Sequence, residues 1–211
     1  MIFISGLVLM IFGKSVCFIS LNNYHPFWLN VFFINYTFVG DGIFAIGLIA
    51  IAWLFFKRKD EGKALLISFI LSGLAAQIIK NLVNAPRPKL YFEAGQYLHF
   101  IDGVSLANNS SFPSGHTATA FALATVLVLM AKNKNGQLFI LLAAAMVGYS
   151  RIYLAQHFLL DVMIGAVIGT ASGMLAVYFA LNLNSFRLPA FKWPQAKNSR
   201  QLRSPSSVQT A

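Results

Sequence analysis

Six stretches of this 211-residue sequence are nearly free of charge, and a chain patterned that way has few places to fold other than a bilayer. They lie near Ile2–Leu21, Asp41–Phe56, Ala64–Val83, Ser114–Ala131, Leu138–Leu154 and Phe158–Leu181. Most approach the roughly 20 residues that a helical crossing needs, and the second stands at about the lower limit. Residues of the AVILMFWYC set make up 57% of the chain and charged residues 10%, where a soluble domain carries roughly 25% charge. The expected fold class is all-α: a six-span transmembrane helical bundle with an interfacial segment and a long outer loop. The first stretch has a weaker alternative as a secretory signal peptide. No basic residue precedes its apolar run, no A-x-A-like exit follows it, and Lys14 sits inside it. A retained helix, with Lys14 snorkelling outward along its stem, fits better.

Lysines and arginines orient the bundle. The link after the second span carries Lys57, Arg58, Lys59 and Lys63, and the link after the fourth carries Lys132 and Lys134. Beyond the last span come Arg187, Lys192, Lys197, Arg200 and Arg203. All three groups fall on one side of a six-span chain, and the positive-inside rule makes that side, with both termini, cytoplasmic. The net charge of +10 is thus spread along a membrane face and forms no stripe for a nucleic acid, which is not an expected partner. Lys14, Lys80, Arg87, Lys89 and Arg151 are left over. Apart from Lys14 they stand at or beyond the outer ends of spans, where the bias disfavours them, and cations held against it suggest function.

The segment Leu21–Gly40, with Trp28, Phe32, Phe33, Tyr36 and Phe38, reads as an aromatic interfacial anchor. Asn84–Phe112 is the longest loop, a length that often signals function. One domain is expected, a six-span membrane domain over residues 1–184, followed by a basic cytoplasmic tail over 185–211 that is disordered or rests on anionic lipid. Gly165, Gly169 and Gly173 recur every four residues and suggest close helix packing. Cys17 is the single cysteine, which rules out an intrachain disulfide or a cysteine metal cluster and leaves a packing role.

Three clusters on the outer side can do chemistry. In the first, Lys80 and Arg87 are seven apart, with Pro86 and Pro88 ending the helix so that Arg87 folds back over the membrane surface. In the second, Pro113-Ser114-Gly115-His116 opens the fourth span. Ser114 is a candidate N-cap, the helix start offers free N–H groups to phosphate, and His116 can donate a proton. In the third, His157 and Asp161 are four apart on one helix face, where a carboxylate fixes an imidazole tautomer. Taken alone, that pair serves equally well as a structural one. Arg151, six residues before His157, would point elsewhere on a continuous helix, and a break between the last two spans would let both enter one pocket. Together these residues supply what phosphoryl transfer without a metal requires: cations to clamp oxygens, a nucleophile and an acid.

The same residues resemble the signature of the type 2 phosphatidic acid phosphatase family, K-x6-R-P, P-S-G-H and S-R-x5-H-x3-D. Its fixed positions are filled in order by Lys80, Arg87, Pro88, Pro113, Ser114, Gly115, His116, Ser150, Arg151, His157 and Asp161. The resemblance implies an integral membrane lipid phosphate phosphatase with the outer loop over its active site. His157 would be the nucleophile of a phosphohistidine intermediate, Asp161 would orient it, and His116 would protonate the leaving group. Lys80, Arg87, Arg151, Ser114 and the Gly115 amide would hold the phosphate oxygens, with no metal or other cofactor required. His25 and His99 match no family position and read as outer-surface residues; Lys89, Glu93 and Asp102 read as solvated loop charges.

A lipid phosphotransferase using the same intermediate is the nearest alternative. A vanadium-dependent haloperoxidase shares the motifs but is soluble. A non-catalytic lipid-binding or transport protein would have no need of both histidines and Asp161 at intact spacing. The expected partners are the bilayer and a lipid phosphate, with phosphatidate, phosphatidylglycerol phosphate, undecaprenyl diphosphate and lipid A phosphates all open. The small size and short links point to a bacterial inner membrane with the site facing the periplasm. Asn35-Tyr36-Thr37 and Asn109-Ser110-Ser111 fit glycosylation sequons and leave a eukaryotic origin open.

Overall fold

Backbone that crosses hydrocarbon must satisfy its own hydrogen bonds, and helices do so within one segment. The computed structural model describes residues 2–55, 59–92 and 100–182. Among them every regular element is helical: α1 (Ile2–Leu21), α2 (Phe27–Tyr36), α3 (Gly42–Ala50), α4 (Lys59–Val83), α5 (Pro88–Tyr91), α6 (Gly115–Met130), α7 (Lys134–Tyr153) and α8 (Leu159–Asn182). A 3-10 turn, Thr37–Gly40, joins α2 to α3, and α3 runs on into a π turn at Ile51–Phe55. The basic tail, together with Lys57, Arg58, Glu93 and His99, lies outside the described residues.

Four helices are long and apolar enough to cross a membrane, over Ile4–Leu21, Lys59–Tyr91, Lys134–Tyr153 and Leu159–Leu181. The segments Phe27–Gly40 and Gly42–Leu54 meet at a bend of 58° and make a fifth if they are taken as one broken span. The stretch expected as an interfacial anchor is therefore helical, and the expected second span is the second limb of the bent pair. With 16 residues, α6 is shorter than these four long helices, about 24 Å at the usual helical rise. Large apolar side chains such as Ile43, Leu74, Leu82, Phe139 and Leu181 are exposed on the outer faces, as lipid-facing surface should be.

The short helix is also the central one. α6 packs against α4, α7 and α8, and its buried positions are mostly small: Thr117, Ala118, Thr119, Ala120, Ala122, Ala124 and Thr125. The glycine ridge of α8 faces it. A methyl group on Gly169 would fall 2.8 Å from Phe121 Cβ and 2.9 Å from Ala122 N, so the two backbones touch where no side chain fits. A core of Ala45, Leu65, Leu123, Val126, Ala176 and Ala180 joins α3, α4, α6 and α8 further along. Cys17 is buried, as expected of a packing residue.

α1 lies mainly along α8 and is broken at Gly13, whose φ of 75° only glycine adopts readily. Lys14 follows the break, and its ammonium sits 3.8 Å from the centre of the Phe158 ring and 4.6 Å from that of Tyr91. Two aromatic faces satisfy the cation where water would otherwise have to. Asn22, just past α1, donates to the carbonyls of Ile152 and Tyr153 at 2.8 Å each. The ends of α1, α4 and α7 thus meet the starts of α3, α6 and α8 at one end of the bundle.

Candidate active site

α7 stops in a Schellman turn. Ala155 is left-handed (φ 52°), its N–H donates to Ile152 O at 3.0 Å, and the N–H of Gln156 donates to Arg151 O at 3.0 Å. The N–H of His157 reaches the same Arg151 carbonyl at 3.1 Å. This is the break expected between the last two long helices, and it brings Arg151 and His157 to one site instead of different faces of a rod. His157 is buried, with Nδ1 3.6 Å from Asp161 Oδ2. That carboxylate oxygen also accepts from the Ser111 hydroxyl at 2.5 Å and from the Phe158 N–H at 2.9 Å. Burial holds the His157 imidazole below the ordinary histidine pKa, against the opposing pull of Asp161.

Asp161 also fixes the start of α6, because its carbonyl accepts from the Ser114 N–H at 3.0 Å. Ser114 is the N-cap as expected: its Oγ accepts from Thr117 N at 3.4 Å and from Thr117 Oγ1 at 2.9 Å. Lys80, on the last turn of α4, reaches this helix start, where a methyl group on Gly115 would lie 3.7 Å from its Nζ. Arg87 folds back after α4 ends at Val83. Its N–H donates to Asn108 O at 2.8 Å, Nε to Asn109 O at 3.1 Å, and Nη1 to Gln156 O at 3.5 Å. Arg151 is buried; its Nη1 donates to Thr37 Oγ1 at 2.5 Å, and its Nε has no hydrogen-bond partner among the described residues. An orphaned donor on a buried cation marks a place suited to an anion.

His116, one residue inside α6, stands with Nε2 3.7 Å from Asp41 Oδ2. The charges lie close enough to act on one another: Lys80 with Arg87, Arg151 and Asp161; His116 with Lys80, Arg151 and His157; His157 with Arg87 and Arg151. Every site residue read from the sequence is therefore found at one end of the bundle. The Ser150 hydroxyl donates to Val147 O of its own helix at 2.6 Å.

Three participants were not legible as such. In the sequence Ser111 reads only as part of a glycosylation sequon. Thr37 and Asp41 come from the turn before α3. The one signal for Asp41 was an acid set between two glycines in a chain with six acidic residues. Of the remaining candidates, His25 is half-buried and away from the cluster, its Nε2 2.8 Å from Asn22 O and its ring against Tyr153. Lys89 and Asp102 are exposed. An apolar cleft of about 330 Å³ between α1, α7 and α8 runs up to Leu21, Ile152 and Leu159, two residues from His157.

Known proteins place this arrangement. Phosphatidylglycerophosphatase B of Bacillus subtilis is 30% identical over 174 residues, covering 76% of this chain and 79% of its own. An undecaprenyl-diphosphatase of Sulfolobus acidocaldarius is 26% identical over 78% of each chain. Among solved structures, Aquifex aeolicus LpxE superposes with a TM-score of 0.70 at 32% identity, over 78% of this chain and 94% of its own. The family profile of the PAP2 superfamily matches residues 61–185, the segment that carries Lys80, Arg87, His116, Arg151, His157 and Asp161. With its motifs matched in sequence and gathered in space, the chain belongs to the PAP2 superfamily.

Proposed function

We propose that the chain is a membrane lipid phosphate phosphatase that works through a phosphohistidine. One observation carries this: a buried imidazole faces a carboxylate through Nδ1 at 3.6 Å, with Lys80, Arg87, Arg151 and a second imidazole gathered around it. With Nδ1 turned to Asp161, Nε2 is the nitrogen left to attack phosphorus. The three cations, the Ser114 hydroxyl and the Gly115 amide hold the phosphoryl oxygens, stabilising charge where it builds in the transition state. As the bond from Nε2 to phosphorus forms, the bond from phosphorus to the lipid oxygen breaks, and His116 gives that oxygen its proton. Neutral His116 then takes a proton from water, whose oxygen attacks phosphohistidine and releases inorganic phosphate. Two moderate barriers replace one high barrier.

The substrate is a phosphomonoester or diphosphate of a lipid, as the names of the relatives suggest for those proteins. The cleft beside Leu159 suits a hydrocarbon chain entering sideways from the bilayer. We further propose six crossings, by α1, α3 with its π turn, α4, α6, α7 and α8, with α2 lying at the outer interface. Both termini are then cytoplasmic and the site faces the periplasm of a bacterial inner membrane. The basic links at Lys59–Lys63 and Lys132–Lys134 support that orientation, because they stand at the opposite ends of the helices that carry the site. The domain division at residue 184 stays as proposed from composition.

The test is phosphate release by the detergent-solubilised protein from phosphatidate, phosphatidylglycerol phosphate, undecaprenyl diphosphate and lipid A. At least one should turn over, with His157→Ala near background and vanadate inhibitory. Turnover that survives His157→Ala rejects the covalent route.

A further inference from the structure

The family's matched segment begins at residue 61, yet one wall of the site is built before it. The 3-10 turn Thr37–Gly40 is wedged against the start of α6 and the end of α7. A methyl group on Gly40 would lie 2.8 Å from His116 O and 2.6 Å from Val147 Cγ1, so only glycine lets the turn come this close. The wedge does two things. Thr37 Oγ1 accepts from the buried Arg151 guanidinium, and Asp41 is set with Oδ2 3.7 Å from His116 Nε2. Asp41 Oδ1 meanwhile accepts from Ile43 N at 2.8 Å and caps α3, which fixes the direction of the carboxylate.

The groups facing His116 are Lys80 from α4, Arg151 from α7, His157 from the turn after it, and Asp41. Three of the four are cationic or become so, and a fourth positive charge among them is disfavoured unless an anion stands close. Asp161 does not meet the need, because its Oδ2 is taken up by His157, Ser111 and Phe158. We infer that Asp41 is a positioning residue for the acid: its carboxylate, 3.7 Å from Nε2, is the counter-charge that makes a protonated His116 less costly among these cations. The site then holds two histidine–carboxylate pairs with opposite tasks. Asp161 readies His157 to attack as a neutral base, and Asp41 readies His116 to give up a proton.

This rests on the phosphatase function proposed above, and Asp41→Asn separates the two. Asparagine caps a helix as well as aspartate does, so α3 keeps its start and only the charge is lost. An acid must be protonated to act, so activity falls as pH rises through the titration of His116. Removing a neighbouring negative charge brings that fall to lower pH. For a pair about one-third exposed, screening leaves a displacement of about one pH unit. The expected result on a lipid phosphate that the wild type cleaves is a basic limb of kcat about one unit lower. The same variant should show a roughly tenfold loss of kcat above that limb, an unchanged KM and an unchanged thermal midpoint. A basic limb that does not move, or an equal loss at every pH, overturns the assignment while leaving the phosphatase standing. A wild type that cleaves no lipid phosphate overturns both.

Discussion

Replacing Asp161 with asparagine removes one charge from the site and little else. The carboxylate oxygen Oδ2 accepts from two donors, the Ser111 hydroxyl and the Phe158 N–H, and lies 3.6 Å from His157 Nδ1. An amide oxygen in the same place still accepts from Ser111 and Phe158, so the turn into α8 keeps its bonds. What disappears is the attraction between the carboxylate and the positive charge that His157 acquires as it bonds to phosphorus. Both side chains are almost fully buried and 3.6 Å apart. At an effective dielectric of about 20, that attraction comes to about 4–5 kcal/mol. Because the charge on His157 develops during attack, the loss falls on the transition state and appears in kcat. Asp161→Asn should therefore lower kcat roughly a thousandfold, measured as phosphate release at the wild-type pH optimum, with membrane insertion and thermal midpoint retained. Ser111→Ala, which removes one buried charge-assisted hydrogen bond of about 1.5–3 kcal/mol, should cost roughly ten- to a hundredfold. An Asp161→Asn variant within about tenfold of wild type would refute the claim that the carboxylate stabilises a charged intermediate.

Two further outcomes follow from the geometry. Gly169→Ala puts a methyl against the α6 backbone and should destabilise the protein by about 1–3 kcal/mol, whereas Gly73→Ala, with nothing within 4 Å of the added carbon, should be neutral or stabilising by up to about 1 kcal/mol. Thermal unfolding of the two purified variants checks the contrast. Because His157 must be neutral to attack, activity is lost as pH falls through its titration; burial lowers that titration, so the acidic limb of kcat/KM should lie below the ordinary histidine value of about 6.5.

Much of the site could be read from the sequence because its chemistry is local. A lysine and an arginine seven apart, a capped helix start with a histidine behind it, and a histidine and an aspartate four apart are each a few residues of chain. Even the break that unites Arg151 with His157 followed from their spacing. What could not be read depends on distant packing. Asp41 looks like the first residue of an apolar span until Gly40 is seen against His116, more than 70 residues away in the chain. Ser111 gives no sign of its bond to Asp161 across 50 residues. Hydropathy shows neither the break at Gly13 nor the two rings that take the Lys14 ammonium, because both depend on packing. The second apolar stretch is legible, but the 58° bend that joins it to α2 is not, since aromatic composition fits an interfacial anchor and one limb of a bent span alike.

The reversal at Ala155 has a mechanical consequence. One carbonyl, that of Arg151, receives the N–H groups of both Gln156 and His157, so the guanidinium that grips phosphate and the ring that attacks it hang from a single knot of backbone. Any rocking of α7 carries them together as one rigid jaw. The gap free to widen is the one facing His116, which rides on a different helix. A lipid arriving from the side would then meet the Arg151 grip and the nucleophile already in register, and closing the jaw would bring up the proton together with the Ser114 and Gly115 donors.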